Sequence, residues 1–234
     1  MSSNQPTNPK PEEPTFDADK YLRASFRNSV AYALEAHRFE AEHFAAVEAF
    51  NDQPSLLRRT LESVDPKLDT WVELGVATGR STRAIVRTAA ELGRTPQLHA
   101  FDSFQGLPED FIPGVEKGAF AMEPPSFLEE NIKLHVGWFR DTLPDFAASL
   151  TGQIGFIHCD ADLYSSTSLA LDALSSHIGP GTALLFDEYW NFHACYEHEF
   201  RAFREFIAKS RLRFRYIGYN QNYTQASVML LAGE

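Results

Sequence analysis

Seven short apolar runs, most of them separated by stretches of helical period, constrain this chain more than any other feature. The runs are TWVELG (70–75), QLHAFD (97–102), IKLHVG (132–137), IGFIHCD (154–160), TALLFDE (182–188), FRYIGY (214–219) and ASVMLL (226–231). Between them lie the amphipathic stretches STRAIVRTAAEL, SSTSLALDALSSHI and EHEFRAFREFIAKS. Runs this short read as strands, and strands alternating with helices imply a largely parallel sheet covered on both faces. Only YNQNYT separates the last two runs, so that pair reads as an antiparallel hairpin. The expectation is one α/β domain over residues 67–234, with a helical N-terminal arm over 17–66. In the arm, Tyr21, Phe26, Val30, Leu34, Phe39 and Phe44 keep helical spacing from Asp17 to about Phe50. SLLRRTLESV then makes a second short helix with Ser55 as its N-cap.

Residues 1–16 are polar and proline-rich, and read as a disordered tail rather than a signal peptide. No later run approaches the length of a membrane span, so the expectation is a cytoplasmic protein with no membrane partner. A net charge of −11 argues against a nucleic-acid partner, since phosphate binding usually needs a basic face. Cys159 and Cys195 have neither the density of a disulfide scaffold nor the spacing of a metal site.

In open parallel sheets, ligands bind at the carboxyl ends of the strands. The first run leads into VELGVATGRST, with Glu73, Gly75 and Gly79 before Ser81 and Thr82 open a helix. Glycines there let a ligand approach the backbone closely. The second run ends in Asp102, where a carboxylate can accept from both hydroxyls of a ribose. The fourth ends in Asp160 and Asp162, and the fifth in Asp187 and Glu188, so five carboxylates gather on one edge. The glycine pattern lacks the third glycine of a diphosphate loop and has no basic residue before Arg80, which disfavours an NAD-linked oxidoreductase. A phosphate-free nucleoside carrying positive charge suits the acidic edge better, and S-adenosylmethionine meets that description.

The segments VELGVATGRS, FDSFQGLPED, GWFRDTLP, HCDADLYSST and LLFDEY resemble, in this order and spacing, the macrocin O-methyltransferase (TylF-like) family of class I S-adenosylmethionine-dependent methyltransferases. The resemblance runs from about Trp71 to about Tyr189. It implies a Rossmann-like seven-stranded sheet with a reversed last hairpin. It also implies metal-assisted methylation of a hydroxyl, often on a sugar of a natural product. An alcohol is a poor nucleophile at neutral pH, and a divalent cation such as Mg²⁺, held by oxygen ligands, makes it a better one. The family places its metal ligands on Asp160, Asp187 and Glu188 and its general base on Asp162. It more often has Asp at the position of Glu188, and the longer side chain here binds the metal directly, binds it through water, or leaves it weakly held.

The candidate cofactor-binding residues are then Glu73, Gly75, Gly79, Ser81, Asp102, Ser103, Trp138 and Asp160. Glu73 either holds the amine end of the cofactor or orients the glycine loop. Ser103, Phe104 and Trp138 border the adenine, although a tryptophan at a strand end is as often core. Asp160 and Asp162 have a plainer alternative as caps of the helix starting near Ser165, work for which Ser165 and Ser166 are also available. His158 is assigned to the opposite side of the strand from Asp160 and read as structural. His193 and His198 are either helix-start histidines or groups that reach the acceptor. GLPEDFIPGVEKGAFAMEPPSF has no periodicity and is read, with the arm, as a lid over a small-molecule acceptor. The arm covers its own domain or exchanges with a neighbour in a homodimer. Two other functions fit the same motifs: a catechol or phenol O-methyltransferase, and an S-adenosylmethionine-binding partner subunit without catalysis.

Overall fold

The computed structural model describes residues 30–192 and 194–233. In chain order its elements are α1 (Val30–His43), β1 (Ala49–Phe50), α2 (Gln53–Ser63), β2 (Thr70–Leu74), α3 (Arg80–Glu91), β3 (Gln97–Asp102), β4 (Ile132–Val136), α4 (Phe139–Ser149), β5 (Ile154–Cys159), α5 (Tyr164–Leu174), β6 (Ala183–Phe186), α6 (Glu199–Ser210), β7 (Arg213–Asn220) and β8 (Ala226–Leu231). One sheet runs β1-β7-β8-β6-β5-β2-β3-β4. Strand β8 is antiparallel to both β6 and β7, and every other pairing is parallel. This is the expected α/β sheet with a reversed last hairpin.

The sheet has eight strands rather than seven. The helical reading from Asp17 to about Phe50 fails at its end: α1 stops at His43, and the chain turns so that Ala49 and Phe50 pair with the edge of β7. The turn serves the core. Phe44, 2% exposed, stacks on Tyr219, and Phe50 lies where a Cβ on Gly218 would sit 2.5 Å from its ring. The tail and the first part of the arm lie outside the described residues. Helix α2 begins earlier than expected, because Asp52 is its N-cap and accepts the Ser55 N–H at 2.8 Å. Helix α4 has no counterpart in the sequence reading; it contains Pro144, a residue that ordinarily ends a helix.

Residues alternate between the two faces of the sheet. Val72, Leu74, Ile157, Cys159, Leu184 and Phe186 meet α1, α4, α5 and α6, whereas Trp71, Leu98, Phe156 and Leu185 meet α2 and α3. On the first face Phe39 of α1 is fully buried against Tyr189, Trp190, Tyr196 and Phe200. The described part of the arm thus packs on the core, behind the acid pair that follows β6.

Candidate active site at the strand ends

The parallel strands deliver their terminal residues to one edge, and two different environments form there. The first is built around the glycine loop after β2. Gly75 has φ +91°, and a Cβ on it would lie 1.7 Å from the Asp160 carbonyl oxygen, so only glycine lets β2 and β5 end this close together. Gly79, at φ +73°, occupies the N-cap of α3. Asp102 Oδ2 accepts the N–H groups of Val76 and Ala77, both at 2.9 Å, and Oδ1 accepts that of Phe104 at 2.8 Å. The candidate ribose acid therefore also holds the glycine loop in shape. Ser103 Oγ accepts the Gln105 N–H at 3.1 Å. Ser81 lies half-buried in the first turn of α3, and Trp138, also half-buried, occupies the N-cap of α4 with Arg140 over its ring.

The second environment lies after β5 and β6. Asp160, Asp162, Asp187 and Glu188 are all half-buried. Among the described residues no lysine or arginine pairs with any of them. Carboxylates crowded in this way keep their protons more tightly. Burial, then Asp187 and Asp162, holds the Asp160 carboxyl well above its usual range. Burial and the Asp187 charge push Asp162 up to about 7, against a contact with the Glu188 carboxyl that pulls the other way. Burial, then Asp187, Asp162 and Asp160, raises Glu188 well above its usual range, and Glu188 Oε2 is buried without a partner.

Neither aspartate caps a helix. Leu163 stands at the N-cap of α5 without a side-chain bond, and Ser165 instead donates to Glu109 at 2.5 Å. Asp162 sits at the centre of a three-residue turn closed by Leu163 N–H and Ala161 O, with φ +57°. That left-handed backbone conformation, which aspartate adopts more readily than most residues, turns the chain sharply between Ala161 and Leu163.

Ligand atoms group in two overlapping sets. Asp160, Asp162 and Glu188 form one, and His158, Asp160 and Asp187 form the other, each within 4.8 Å. Asp160 belongs to both, while Asp187 and Glu188 fall in different sets. His158 was assigned to the wrong face: residues two apart on a strand point the same way, and His158 therefore shares the side of Asp160. Its Nδ1 lies 3.2 Å from Glu73 Oε1, with the residues 1% and 0% exposed. Glu73 thus contacts a histidine on the neighbouring strand, and its Oε2 has no partner.

Three further residues organise this edge. Glu199, fully buried in the first turn of α6, accepts the Ala161 N–H at 3.3 Å on Oε1 and the Glu188 N–H at 3.0 Å on Oε2. It ties the two acid-bearing loops together, and burial pushes its own carboxyl up to about 8. Gln53 and Gln225 both donate to Asp187 Oδ1, at 2.9 and 3.1 Å. Glu199 was legible as an acid on the apolar stripe of Ala202, Phe203 and Phe206; the glutamines carried no local signal.

His198 packs its ring 4.6 Å from that of Phe111, its Nδ1 is buried without a partner, and burial lowers its pKa. His193 lies outside the described residues. The loop between β3 and β4 reaches both environments. Glu109 and Phe111 touch Ser165 and His198, while Phe127 covers Gly79 and lies under the Arg83 guanidinium.

A family model described as a methyltransferase domain matches residues 72–189, half of the chain. The 8-demethyl-8-(2,3-dimethoxy-alpha-L-rhamnosyl)-tetracenomycin-C 4'-O-methyltransferase of Streptomyces olivaceus is 31% identical over 140 residues, 50% of this chain and 52% of that protein. The chain therefore spans about half the length of the curated relative it matches. Among solved structures, the calicheamicin methyltransferase CalS11 aligns with a TM-score of 0.61 at 18% identity, over 98% of this chain and 99% of that one. The O-methyltransferase NovP aligns with a TM-score of 0.57 at 22% identity, over 77% of this chain and 79% of that one. At such identities the structural likeness is one of fold.

Proposed function

The chain belongs to the methyltransferase-domain family, and on that premise we propose that it transfers a methyl group from S-adenosylmethionine to a hydroxyl of a sugar or natural-product acceptor, assisted by a divalent cation such as Mg²⁺. The observation that carries the reading is the acid edge itself, four half-buried carboxylates with no lysine or arginine paired to them among the described residues. Such a set fits a hard cation, and the unpartnered Glu188 Oε2 is an oxygen in want of one. The rhamnosyl substrate in the name of the Streptomyces relative supports a sugar hydroxyl as acceptor.

The bound cofactor would supply a methyl carbon on a sulfonium, and the cation would lower the pKa of a coordinated hydroxyl. The protein does the rest. Asp162 would take the acceptor proton at its carboxylate as the oxygen–carbon bond forms and the carbon–sulfur bond breaks. Asp160 would hold the cation together with Asp187 or with Glu188, the acids of the two overlapping sets. Asp102 fixes the glycine loop and presents its remaining acceptor capacity to a ribose. Glu199 keeps the β5 and β6 ends at a constant separation. The β3–β4 loop, in contact with both environments, covers the reaction from water.

The test is S-adenosylhomocysteine release from the purified chain given S-adenosylmethionine and rhamnosides, with Mg²⁺ or with EDTA. Turnover that needs both an acceptor and the ion is expected. Turnover undiminished by EDTA refutes the cation's part. Cofactor binding without turnover on any sugar, catechol or phenol favours a non-catalytic partner subunit.

A further inference from the structure

We infer that His158 is a nitrogen ligand of the cation site, and that this site selects a first-row transition ion, Mn²⁺ among them, over Mg²⁺. The inference rests on the divalent-cation reading above and adds a residue outside the acid set.

Three observations carry it. A ring nitrogen of His158 and carboxylate oxygens of Asp160 and Asp187 lie within 4.8 Å of one another, the spread of ligands around one ion. The Nδ1 of the same ring is engaged by Glu73 at 3.2 Å. A buried carboxylate on one ring nitrogen is the arrangement that fixes the tautomer of a metal-bound histidine, and it leaves Nε2 for the ion. Finally, Glu73 is fully buried and its Oε2 has no partner. A His–Glu pair alone leaves the Asp160 and Asp187 carboxylates without a cation among the described residues. A divalent ion on the far side of the imidazole would be that cation.

The remaining geometry agrees. Gln53 and Gln225 both occupy Asp187 Oδ1, which leaves Oδ2 to turn toward an ion. Asp160, common to both sets, would keep the ion beside Asp162 and Glu188. A mixed imidazole and carboxylate set suits first-row transition ions, whereas an all-oxygen set suits Mg²⁺.

The experiment is electron paramagnetic resonance of Mn²⁺ added to the full chain, with pulsed detection of nitrogen coupling and with Mg²⁺ as competitor. The expected result is bound Mn²⁺ that shows ¹⁴N coupling and survives a large excess of Mg²⁺. In His158→Gln the coupling disappears and Mn²⁺ affinity falls by about tenfold or more, while S-adenosylhomocysteine affinity, read by calorimetry, is retained. Bound Mn²⁺ without nitrogen coupling overturns the role of His158 and leaves an all-carboxylate site standing. No Mn²⁺ uptake at all overturns both readings. Because the wild-type spectrum alone reports the nitrogen, the test holds even where the buried substitution prevents folding.

Discussion

The two halves of the strand-end edge are built on opposite principles. Around the glycine loop the charge of Asp102 is met by three backbone N–H groups of the chain itself. Around β5 and β6 the acids face one another, and buried carboxylates without a counter-charge cost several kcal/mol each unless they take up protons. One half is complete as folded. The other has no lysine or arginine paired to it among the described residues, and on the proposed reading a cation completes it. A protein that needed only stability would not gather acids in this way, and the proposed chemistry is assigned to that half.

Gly75 is where the halves meet, and Gly75→Ala should have the largest effect. Its Cβ would overlap the Asp160 carbonyl, so β2 and β5 must separate, at a cost of about 3 kcal/mol or more. Thermal denaturation should show the loss, and cofactor and ion binding should fail together. An unchanged melting temperature would disprove the close approach. Asp160→Asn should split the halves instead. Turnover should fall about a hundredfold or more, because the cation's contribution is worth several kcal/mol, while calorimetry shows S-adenosylhomocysteine still bound.

Glu199→Gln should act between these two and the smallest effects. It keeps one carbonyl acceptor but presents an amide donor to the other N–H, a loss of about 1–3 kcal/mol. Ion affinity and turnover should drop while cofactor affinity holds, and a variant with lower stability but wild-type ion affinity would reduce Glu199 to a structural role. The pH response sharpens the same contrast without mutation. Asp162 at about 7 and Glu199 at about 8 bind protons more tightly when folded than when unfolded. The native state therefore holds more protons, and stability falls as pH rises from the ordinary carboxylate range through about 8. The melting temperature without metal should decline across that window, and saturating divalent ion should flatten the decline. The smallest effect is expected from Asp52→Ala, which removes only the cap of α2, about 1 kcal/mol.

Much of this was legible in the chain. Each apolar run became a strand, the central β2, β5, β6 and β8 because burial on both faces demands continuous hydrophobicity, and the acids at the ends of β5 and β6 were visible as breaks in it. What escaped had physical reasons. Helix α4 hid behind Pro144, and β1 is too short to have a pattern. His158 needed only the two-residue period of a strand to be placed beside Asp160. Gln53 and Gln225 reach Asp187 across 134 and 38 residues of sequence, and no local signal encodes such a contact.

Proton release on cation binding tests the central claim most directly. Acids that hold protons in the folded chain must give them up to a metal. Mg²⁺ or Mn²⁺ titrated calorimetrically at pH 7, in buffers of different ionisation enthalpy, should bind with release of protons, and Asp160→Asn should abolish both binding and release. Cation binding without proton release, or identical behaviour in the variant, would contradict the account.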